Sequence, residues 1–234
     1  IAIYETSFNK ALYHFYGDLS NTCIIGLLPN YLERKHSSLV YMVDALVKKS
    51  AHPKSGFYLY DQAALANTLS ALEKQQQPTL LIGVTFALLD FAENYPQSLS
   101  HITIMETGGM KGRKKELTRA EVHQQLKSAF GVQQIHAEYG MTELLSQAYA
   151  KADGLFECPP WMKVLLRAED DPLNLICRVK NTHTAAINII DLANLYSCSF
   201  IATDDVGRLH PNQQFEVIGR LDHSDIRGCS LMAL

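Results

Sequence analysis

A hydroxyl and a carboxylate stand side by side at the end of residues 135–143, which read Ile-His-Ala-Glu-Tyr-Gly-Met-Thr-Glu. Apolar and polar residues alternate over the first four positions, as in a strand, and Gly140 then permits a turn that a larger residue would resist. The hydroxyl of Thr142 can hold a phosphate oxygen, and the carboxylate of Glu143 can hold the Mg²⁺ that travels with phosphates. The same residues also fit an ordinary strand-to-helix loop in which Thr142 caps the helix.

A glycine pair, Gly108-Gly109, follows another apolar segment and precedes a basic loop. The surrounding residues match neither the Gly-x-Gly-x-x-Gly dinucleotide motif nor the Gly-x4-Gly-Lys-Ser/Thr phosphate loop. The pair therefore fits either a tight structural turn or a backbone shelf against which a flat base can lie.

Acidic and basic residues meet in two later clusters, 203–208 (Thr-Asp-Asp-Val-Gly-Arg) and 219–222 (Gly-Arg-Leu-Asp). Adjacent carboxylates suggest acid–base chemistry, but Asp204 and Asp205 are expected to face opposite sides of a strand. A single carboxylate in a pocket is better suited to a diol, because it can accept two hydroxyl hydrogen bonds. Arg220 would add a rigid set of donors. A solvated turn with surface ion pairs is the alternative.

The five cysteines are scattered without a Cys-x-x-Cys pair, and the nine histidines show no metal-ligand spacing. This pattern argues against a disulfide framework and a structural zinc site, and it predicts a reducing cytoplasm. Cys229 follows an arginine and a glycine, and a basic neighbour can lower the pKa of a thiol. An inert thiol is the alternative at this position.

The composition is that of an ordinary globular protein, and it argues against a nucleic-acid partner and a membrane span. Of the 234 residues, 47% are hydrophobic and 19% are charged, and the formal net charge is -3. Lysines and arginines are dispersed, so no nucleic-acid surface is predicted. No apolar run approaches the roughly 18 residues of a membrane helix. The chain opens at Ile1 without a methionine, which suggests a fragment of a longer protein.

Strand and helix patterns alternate from Cys23 to Glu138 and supply the elements that position these residues. Compact apolar runs predict strands at 23–28, 57–60, 79–84 and 101–105. The spacing of apolar residues predicts helices after Ser37, after Asp61 and over 86–93, and another that begins with a capping box at Thr118 and ends at Gly131.

This alternation predicts a mostly parallel sheet flanked by helices, and continuously apolar strands fit burial on both sides. In such sheets, ligands bind beyond the carboxyl ends of the strands. Two polar loops, 106–111 and 139–143, follow predicted strands. Their shared placement favours the nucleotide interpretation of both.

After about residue 147 the pattern changes to short strands separated by turn residues, which predicts a small β-rich subdomain. The predicted strands are 163–167, 175–179, 186–190, 200–203 and 214–218. We therefore expect an α/β nucleotide-binding core at 1–147 and a β-rich subdomain at 148–234.

Taken in order, these clusters resemble the motifs of the adenylate-forming superfamily of acyl-CoA synthetases and related ligases. Residues 139–143 resemble its Tyr-Gly-x-Thr-Glu motif, and 203–208 resemble its Thr-Gly-Asp-x-Gly-Arg motif. Residues 219–228 resemble its Gly-Arg-x-Asp hinge segment. Segments 28–33, 106–112 and 225–229 are similar to the acyl-protein synthetases of bacterial bioluminescence, a branch near the phenylacetate–CoA ligases.

The resemblance implies the large N-terminal-type domain of an adenylate-forming enzyme without its mobile C-terminal domain, with the phosphate loop upstream of Ile1. It also implies a role for each matching residue. Gly108, Gly109 and Tyr139 would line the adenine site, and Gly140 would also belong to the cofactor-binding residues. Thr142 would contact phosphate, Glu143 would bind Mg²⁺, Asp205 would bind the ribose hydroxyls with the help of Arg220, and Asp222 would lie at the hinge.

The implied reaction joins a carboxylic acid, for example a fatty acid, to AMP from ATP and then transfers the acyl group to a thiol. In the bioluminescence synthetases the acyl group passes through a cysteine near the C-terminus, and Cys229 matches that place. An aryl or fatty acyl-CoA ligase and a noncatalytic module that only binds nucleotide or acyl groups are the alternatives. The sequence departs from the superfamily at Asp204, where glycine is usual, and at 224–225, which replace a lysine-bearing run.

Overall fold

The computed structural model describes residues 1–28, 37–108, 117–168, 171, 173–176 and 179–221, and a mixed sheet of 12 strands runs through them. The helices are α1 (Ala2–Tyr16), α2 (Ser38–Ser50), α3 (Gln62–Lys74), α4 (Thr85–Asn94) and α5 (Arg119–Phe130). The strands are β1 (Cys23–Leu27), β2 (Gly56–Phe57), β3 (Thr79–Val84), β4 (Ile102–Thr107), β5 (His136–Tyr139), β6 (Ala148–Ala150), β7 (Phe156–Glu157), β8 (Met162–Arg167), β9 (Leu175–Ile176), β10 (His183–Asp191), β11 (Phe200–Leu209) and β12 (Phe215–Arg220).

The first five strands form the parallel part of the sheet, in the order β2-β1-β3-β4-β5. Every residue of β1 and β3 is buried, as expected for strands covered on both faces. The predicted α/β class is confirmed. The carboxyl ends of β4 and β5 therefore lie side by side, with Thr107 opposite Glu138 in the register.

Three predicted helix starts are confirmed in atomic detail. The side chains of Ser37 and Asp61 accept hydrogen bonds from backbone N–H groups of the first turns of α2 and α3. Thr118 and Glu121 form a reciprocal capping box at the start of α5, and Gly131 ends that helix in the left-handed region at φ 63°.

Helix α1 was not among the predicted elements, although its sequence carries the signal. Tyr4, Phe8, Ala11, Leu12 and Phe15 recur at spacings of three and four and are buried against the larger apolar cluster. This periodicity is typical of an amphipathic helix. None of the described helices is long and apolar enough to cross a membrane.

The remaining strands are antiparallel and continue the same sheet, in the order β6-β7-β12-β11-β10-β8-β9. The predicted β-rich part is confirmed, but the sheet is continuous across residue 147, so the domain boundary there stays a prediction. Two apolar clusters divide the interior, one mainly from residues before 136 and one from residues 137–215.

Strand β11 is longer than predicted, because it pairs with β10 on one side and with β12 on the other. A break in the β11–β12 register falls between Val206 and Gly207. A methyl group on Gly207 would lie 2.6 Å from the carbonyl oxygen of Glu216 and would overlap the side chain of Ile187. Glycine in this segment is therefore required by the close approach of its neighbours.

We expect Gly207→Ala to lower the free energy of unfolding by roughly 2 kcal/mol or more, because the added carbon overpacks the sheet. Gly219→Ala on β12 is the matched control, since no atom lies within 4 Å of its added carbon. Urea denaturation measures both, and equal losses in the two variants would contradict the steric explanation.

Candidate functional site

The loop that carries Thr142 and Glu143 connects two strands of the sheet. It leaves the carboxyl end of β5 and returns as β6, the antiparallel neighbour of β5. A turn forms at its tip, where the Leu144 N–H donates to the carbonyl of Met141 at 3.1 Å. The next element after this turn is a strand, so the interpretation of Thr142 as a helix cap is wrong. The side chains of Thr142 and Glu143 are both exposed at the edge of the sheet.

Gly140 is required for a reason that differs from the expected one. Its φ is not in the left-handed region, so its backbone conformation does not demand glycine. A methyl group there would instead lie 2.6 Å from Oε1 of Glu138 and 3.3 Å from Cγ of Gln147. Glu138 is buried and accepts a hydrogen bond from the hydroxyl of Thr107 on β4. The loop therefore starts where its backbone covers a buried carboxylate.

Gly108 begins the second polar loop beside the first one. It has φ +78°, a conformation that side chains rarely adopt, so the chain bends here in a way that favours glycine, and the rest of the predicted turn lies outside the described residues. Its carbonyl lies 3.0 Å from the hydroxyl of Thr85, the first residue of α4. Because Thr107 is opposite Glu138, Gly108 lies next to Tyr139 across the strand ends.

A buried carboxylate supports this turn from below. Glu106 is 3% exposed, and its Oε2 lies 2.9 Å from the same Thr85 hydroxyl. Its Oε1 accepts from Nε of Arg119 at 3.1 Å, and Nε2 of the buried His123 lies 3.6 Å away. Arg119 and His123 both belong to α5, so this cluster joins β4, α4 and α5 under the turn.

A hydrogen bond joins two of the sequence clusters at this edge. The Tyr139 hydroxyl donates to Oδ2 of Asp205 at 2.7 Å, across 66 positions of sequence. Arg220 is opposite Asp205 in the β11–β12 register, with its Nε 3.9 Å from Oδ1. Its Nη2 lies 3.2 Å from Oδ2 of Asp204. The guanidinium of Arg220 thus contacts both neighbouring carboxylates.

The electrostatics of Asp205 reflect its partly buried position. Burial raises the pKa of Asp205 above its ordinary value, while the Tyr139 hydrogen bond and the positive charge of Arg220 lower it. The negative charges of Asp204 and Glu143 also raise this pKa, so Glu143 acts electrostatically on the Asp205 carboxylate. Burial, followed by the charge of Asp205, raises the pKa of Tyr139 well above its ordinary value, so its hydroxyl remains a donor.

Several residues that shape the site were missed by sequence reasoning. Thr85 and Glu106 support the Gly108 turn, while Asp191 and Asn194 contact the backbone after Glu143. Apart from Glu106, which opens the polar loop 106–111, none of them stands in a local pattern with chemical meaning. The signal that could have found the supporting role of Glu106 is its place at the end of an apolar strand, two residues before the glycine pair.

Three predicted functional residues, Gly109, Asp222 and Cys229, lie outside the described residues. Among the described cysteines, burial raises the pKa of Cys23, and it raises that of Cys158 to about 12. These two are poor nucleophiles at neutral pH. Cys198 is exposed.

The residues at this edge suit a magnesium ion that arrives with a nucleotide. In the described part of the chain, no group of three or more His, Cys, Asp or Glu residues could hold a metal ion. Mg²⁺ is commonly bound by one or two carboxylates together with substrate phosphates and water. The exposed carboxylate of Glu143, next to the Thr142 hydroxyl, fits that mode of binding.

No protein-family model and no curated protein sequence matches this chain. Solved structures do share its fold. ATP-bound MatB from Rhodopseudomonas palustris superposes with a TM-score of 0.68 at 13% identity, over 93% of this chain and 44% of that one. O-succinylbenzoate CoA synthetase (MenE) from Bacillus subtilis in complex with AMP gives 0.63 at 14% identity, over 97% and 46%.

A benzoate CoA ligase from Burkholderia xenovorans LB400 gives a TM-score of 0.59 at 18% identity, over 91% of this chain and 45% of that one. At these identities the likeness concerns the fold. The chain spans less than half the length of each of these three proteins, and its described part has the fold of that portion.

We expect Tyr139→Phe to move the pKa of Asp205 further upward, because it removes a hydrogen bond that favours the ionised carboxylate. The free energy of unfolding should fall by about 2 kcal/mol above that pKa, and by less below it, where the carboxyl is protonated. Urea denaturation at several pH values and a carboxyl NMR titration measure the two effects.

Tyr58→Phe is the control, because the Tyr58 hydroxyl donates to the backbone carbonyl of Lys54. A backbone carbonyl does not titrate. Its stability loss should not vary with the protonation of a carboxylate. A pH-independent loss in Tyr139→Phe would show that its hydroxyl does not bond an ionised Asp205.

Proposed function

We propose that this chain is the nucleotide-binding core of an ATP-dependent ligase of the adenylate-forming superfamily. The proposed reaction activates a carboxylic acid as an acyl-adenylate and transfers the acyl group to a thiol, as in the acyl-protein synthetases. One observation carries the proposal: the Tyr139–Asp205 hydrogen bond unites two motifs beside the exposed pair Thr142 and Glu143. The fold shared with ATP- and AMP-bound proteins supports it.

At the phosphate end, the Thr142 hydroxyl would donate to a phosphate oxygen and Glu143 would hold the magnesium ion. The substrate carboxylate attacks the α-phosphorus of ATP, an acyl–phosphate bond forms, and pyrophosphate leaves. Bound Mg²⁺ supplies positive charge where negative charge develops on the phosphates. The exposure of both side chains fits this role, because the triphosphate must reach them from solvent.

At the nucleoside end, Asp205 accepts hydrogen bonds from the ribose hydroxyls. Tyr139 occupies one position on Oδ2, and Oδ1 faces Arg220 at 3.9 Å, beyond hydrogen-bond distance. A carboxylate has about four acceptor positions, so a diol can still be bound. Asp204, where the superfamily usually has glycine, holds the guanidinium of Arg220 beside this carboxylate.

We expect Glu143→Gln to slow carboxylate-dependent ATP–pyrophosphate exchange by the intact protein about a hundredfold, because the ion loses its charged ligand. The Mg²⁺ concentration needed for half-maximal rate should also rise. Asp44→Asn is the control, since it removes an α2 carboxylate that pairs with Lys48 on the helix surface. Exchange assays over a magnesium series measure both effects.

Two outcomes would contradict the proposal. Unchanged exchange and magnesium dependence in Glu143→Gln would remove Glu143 from the site. An intact protein that exchanges no pyrophosphate with aromatic or fatty carboxylates would instead favour the noncatalytic binding module.

The acceptor thiol is proposed to be Cys229, reached after adenylation. The thiolate attacks the acyl carbonyl, a thioester forms, and AMP leaves. Coenzyme A is the second candidate acceptor, because structures that share the fold include a benzoate CoA ligase and a CoA synthetase.

The unpaired state of Cys23, Cys158 and Cys198 agrees with a reducing cytoplasm as the place of this activity.

We expect labelled fatty acid and ATP to leave a hydroxylamine-labile label on the protein, and Cys229→Ala to remove it, because the thioester needs that sulfur. Cys198→Ala, which removes an exposed thiol, should retain the label. Label that persists in Cys229→Ala would overturn the role of this cysteine. Consumption of CoA without protein label would identify the CoA ligase.

A further inference from the structure

The buried carboxylate of Asp191 holds the backbone that follows the Thr142–Glu143 turn. Asp191, the last residue of β10, is 0% exposed. Its Oδ2 accepts from the backbone N–H groups of Leu145 and Ser146, both at 2.9 Å. Its Oδ1 accepts from the Ser146 hydroxyl at 2.6 Å and from the Ala193 N–H at 3.0 Å. Four donors thus offset the cost of burying this charge.

Asn194 holds the same loop at the peptide of Glu143 itself. Its side chain is 1% exposed, and Nδ2 donates to the Glu143 carbonyl at 2.8 Å and to the Cys198 carbonyl at 2.9 Å. Its Oδ1 accepts from the Leu145 N–H at 3.1 Å. The Asn194 amide is therefore hydrogen-bonded to the backbone on both sides of Leu144, at Glu143 and at Leu145. Asp191 and Asn194 are also linked directly, through the Asn194 N–H and the Asp191 carbonyl at 3.2 Å.

A second group of side chains ties the end of the loop to α1. The Trp161 indole N–H lies 2.9 Å from the Ser146 hydroxyl and 3.2 Å from the Ser7 hydroxyl. The two hydroxyls are 3.0 Å apart. Residues from α1, from the segment before β8 and from the end of β10 therefore converge on Ser146.

We infer that Asp191 and Asn194 are positioning residues, which fix the turn so that Thr142 and Glu143 face phosphate and magnesium together. The inference rests on the proposed function. Thr142 and Glu143 are both exposed, and the backbone beneath them sets the position from which their side chains reach the solvent. A displacement of about 1 Å in such a backbone is enough to weaken binding and catalysis severely.

Asn194→Ala in the intact protein tests this role, with Asn188→Ala as the matched control. Both substitutions remove one amide side chain from the same part of the chain. Asn188 is half-buried in β10 and accepts from Nη1 of Arg167, away from the loop. The backbone N–H groups of 144–147 report the state of the loop without any ligand, through hydrogen exchange.

We expect Asn194→Ala to raise the KM for MgATP and the half-saturating Mg²⁺ concentration about tenfold each, because the carbonyls of Glu143 and Cys198 lose their donor and the Leu145 N–H keeps only Asp191. The KM for the carboxylic acid should stay unchanged. Hydrogen exchange over 144–147 in the ligand-free protein should accelerate about tenfold. Asn188→Ala should change none of these quantities.

Three results would overturn the inference, and they separate it from the proposed function. Equal changes in these KM values and in hydrogen exchange in Asn194→Ala and Asn188→Ala would show general destabilisation. Unchanged exchange over 144–147 in Asn194→Ala would show that the amide does not hold the loop, whatever the activity. Absence of magnesium-dependent nucleotide binding in the wild-type protein would overturn both proposals. Asn194→Ser, which keeps a small polar group, should give the same direction of change if the alanine variant does not fold.

Discussion

Burial of negative charge is the constraint on which the candidate site depends. Glu106, Glu138 and Asp191 are 3%, 8% and 0% exposed. Burying a carboxylate in such a place costs free energy unless hydrogen-bond donors surround it. The donors come from the loops and from the elements beneath them: the Thr107 hydroxyl for Glu138, and the Ser146 backbone and hydroxyl for Asp191. The loop at 140–147 takes its shape from satisfying such charges, and the exposed residues Thr142 and Glu143 are placed as a result.

The site lies where the sheet changes from parallel to antiparallel. Strand β5 is the last parallel strand, and its other edge pairs with the antiparallel β6. The two apolar clusters meet at the start of this strand, since Ile135, just before it, belongs to one and Ala137 to the other. A loop at this junction can face residues from both parts, and Tyr139 does so through Asp205 on β11. This architecture brings motifs together that are far apart in the chain.

The local sequence predicted the features that depend on contacts between neighbouring residues. It did not predict the features that depend on residues distant in the chain. Ser37, Asp61 and Thr118 cap their own helices, so a few adjacent residues were sufficient to identify them. Asp191 acts on backbone 45 positions away, and nothing beside it in the sequence indicates that role. Gly140 was recognised as necessary but for the wrong reason, because no pattern shows that the Glu138 carboxylate lies against it. The residues proposed to face a ligand were accessible to motif reasoning, whereas those that support them were not.

The position of Trp161 gives the protein an optical property. It is the single tryptophan of the chain, and its indole N–H contacts the hydroxyls of Ser7 and Ser146. Ser146 in turn bonds the carboxylate that holds the loop. Indole emission is sensitive to the polarity and hydrogen bonding around the ring, so the tryptophan fluorescence of this chain comes from a reporter attached to the loop. Rearrangement of that loop will change the colour and intensity of emission without any added dye.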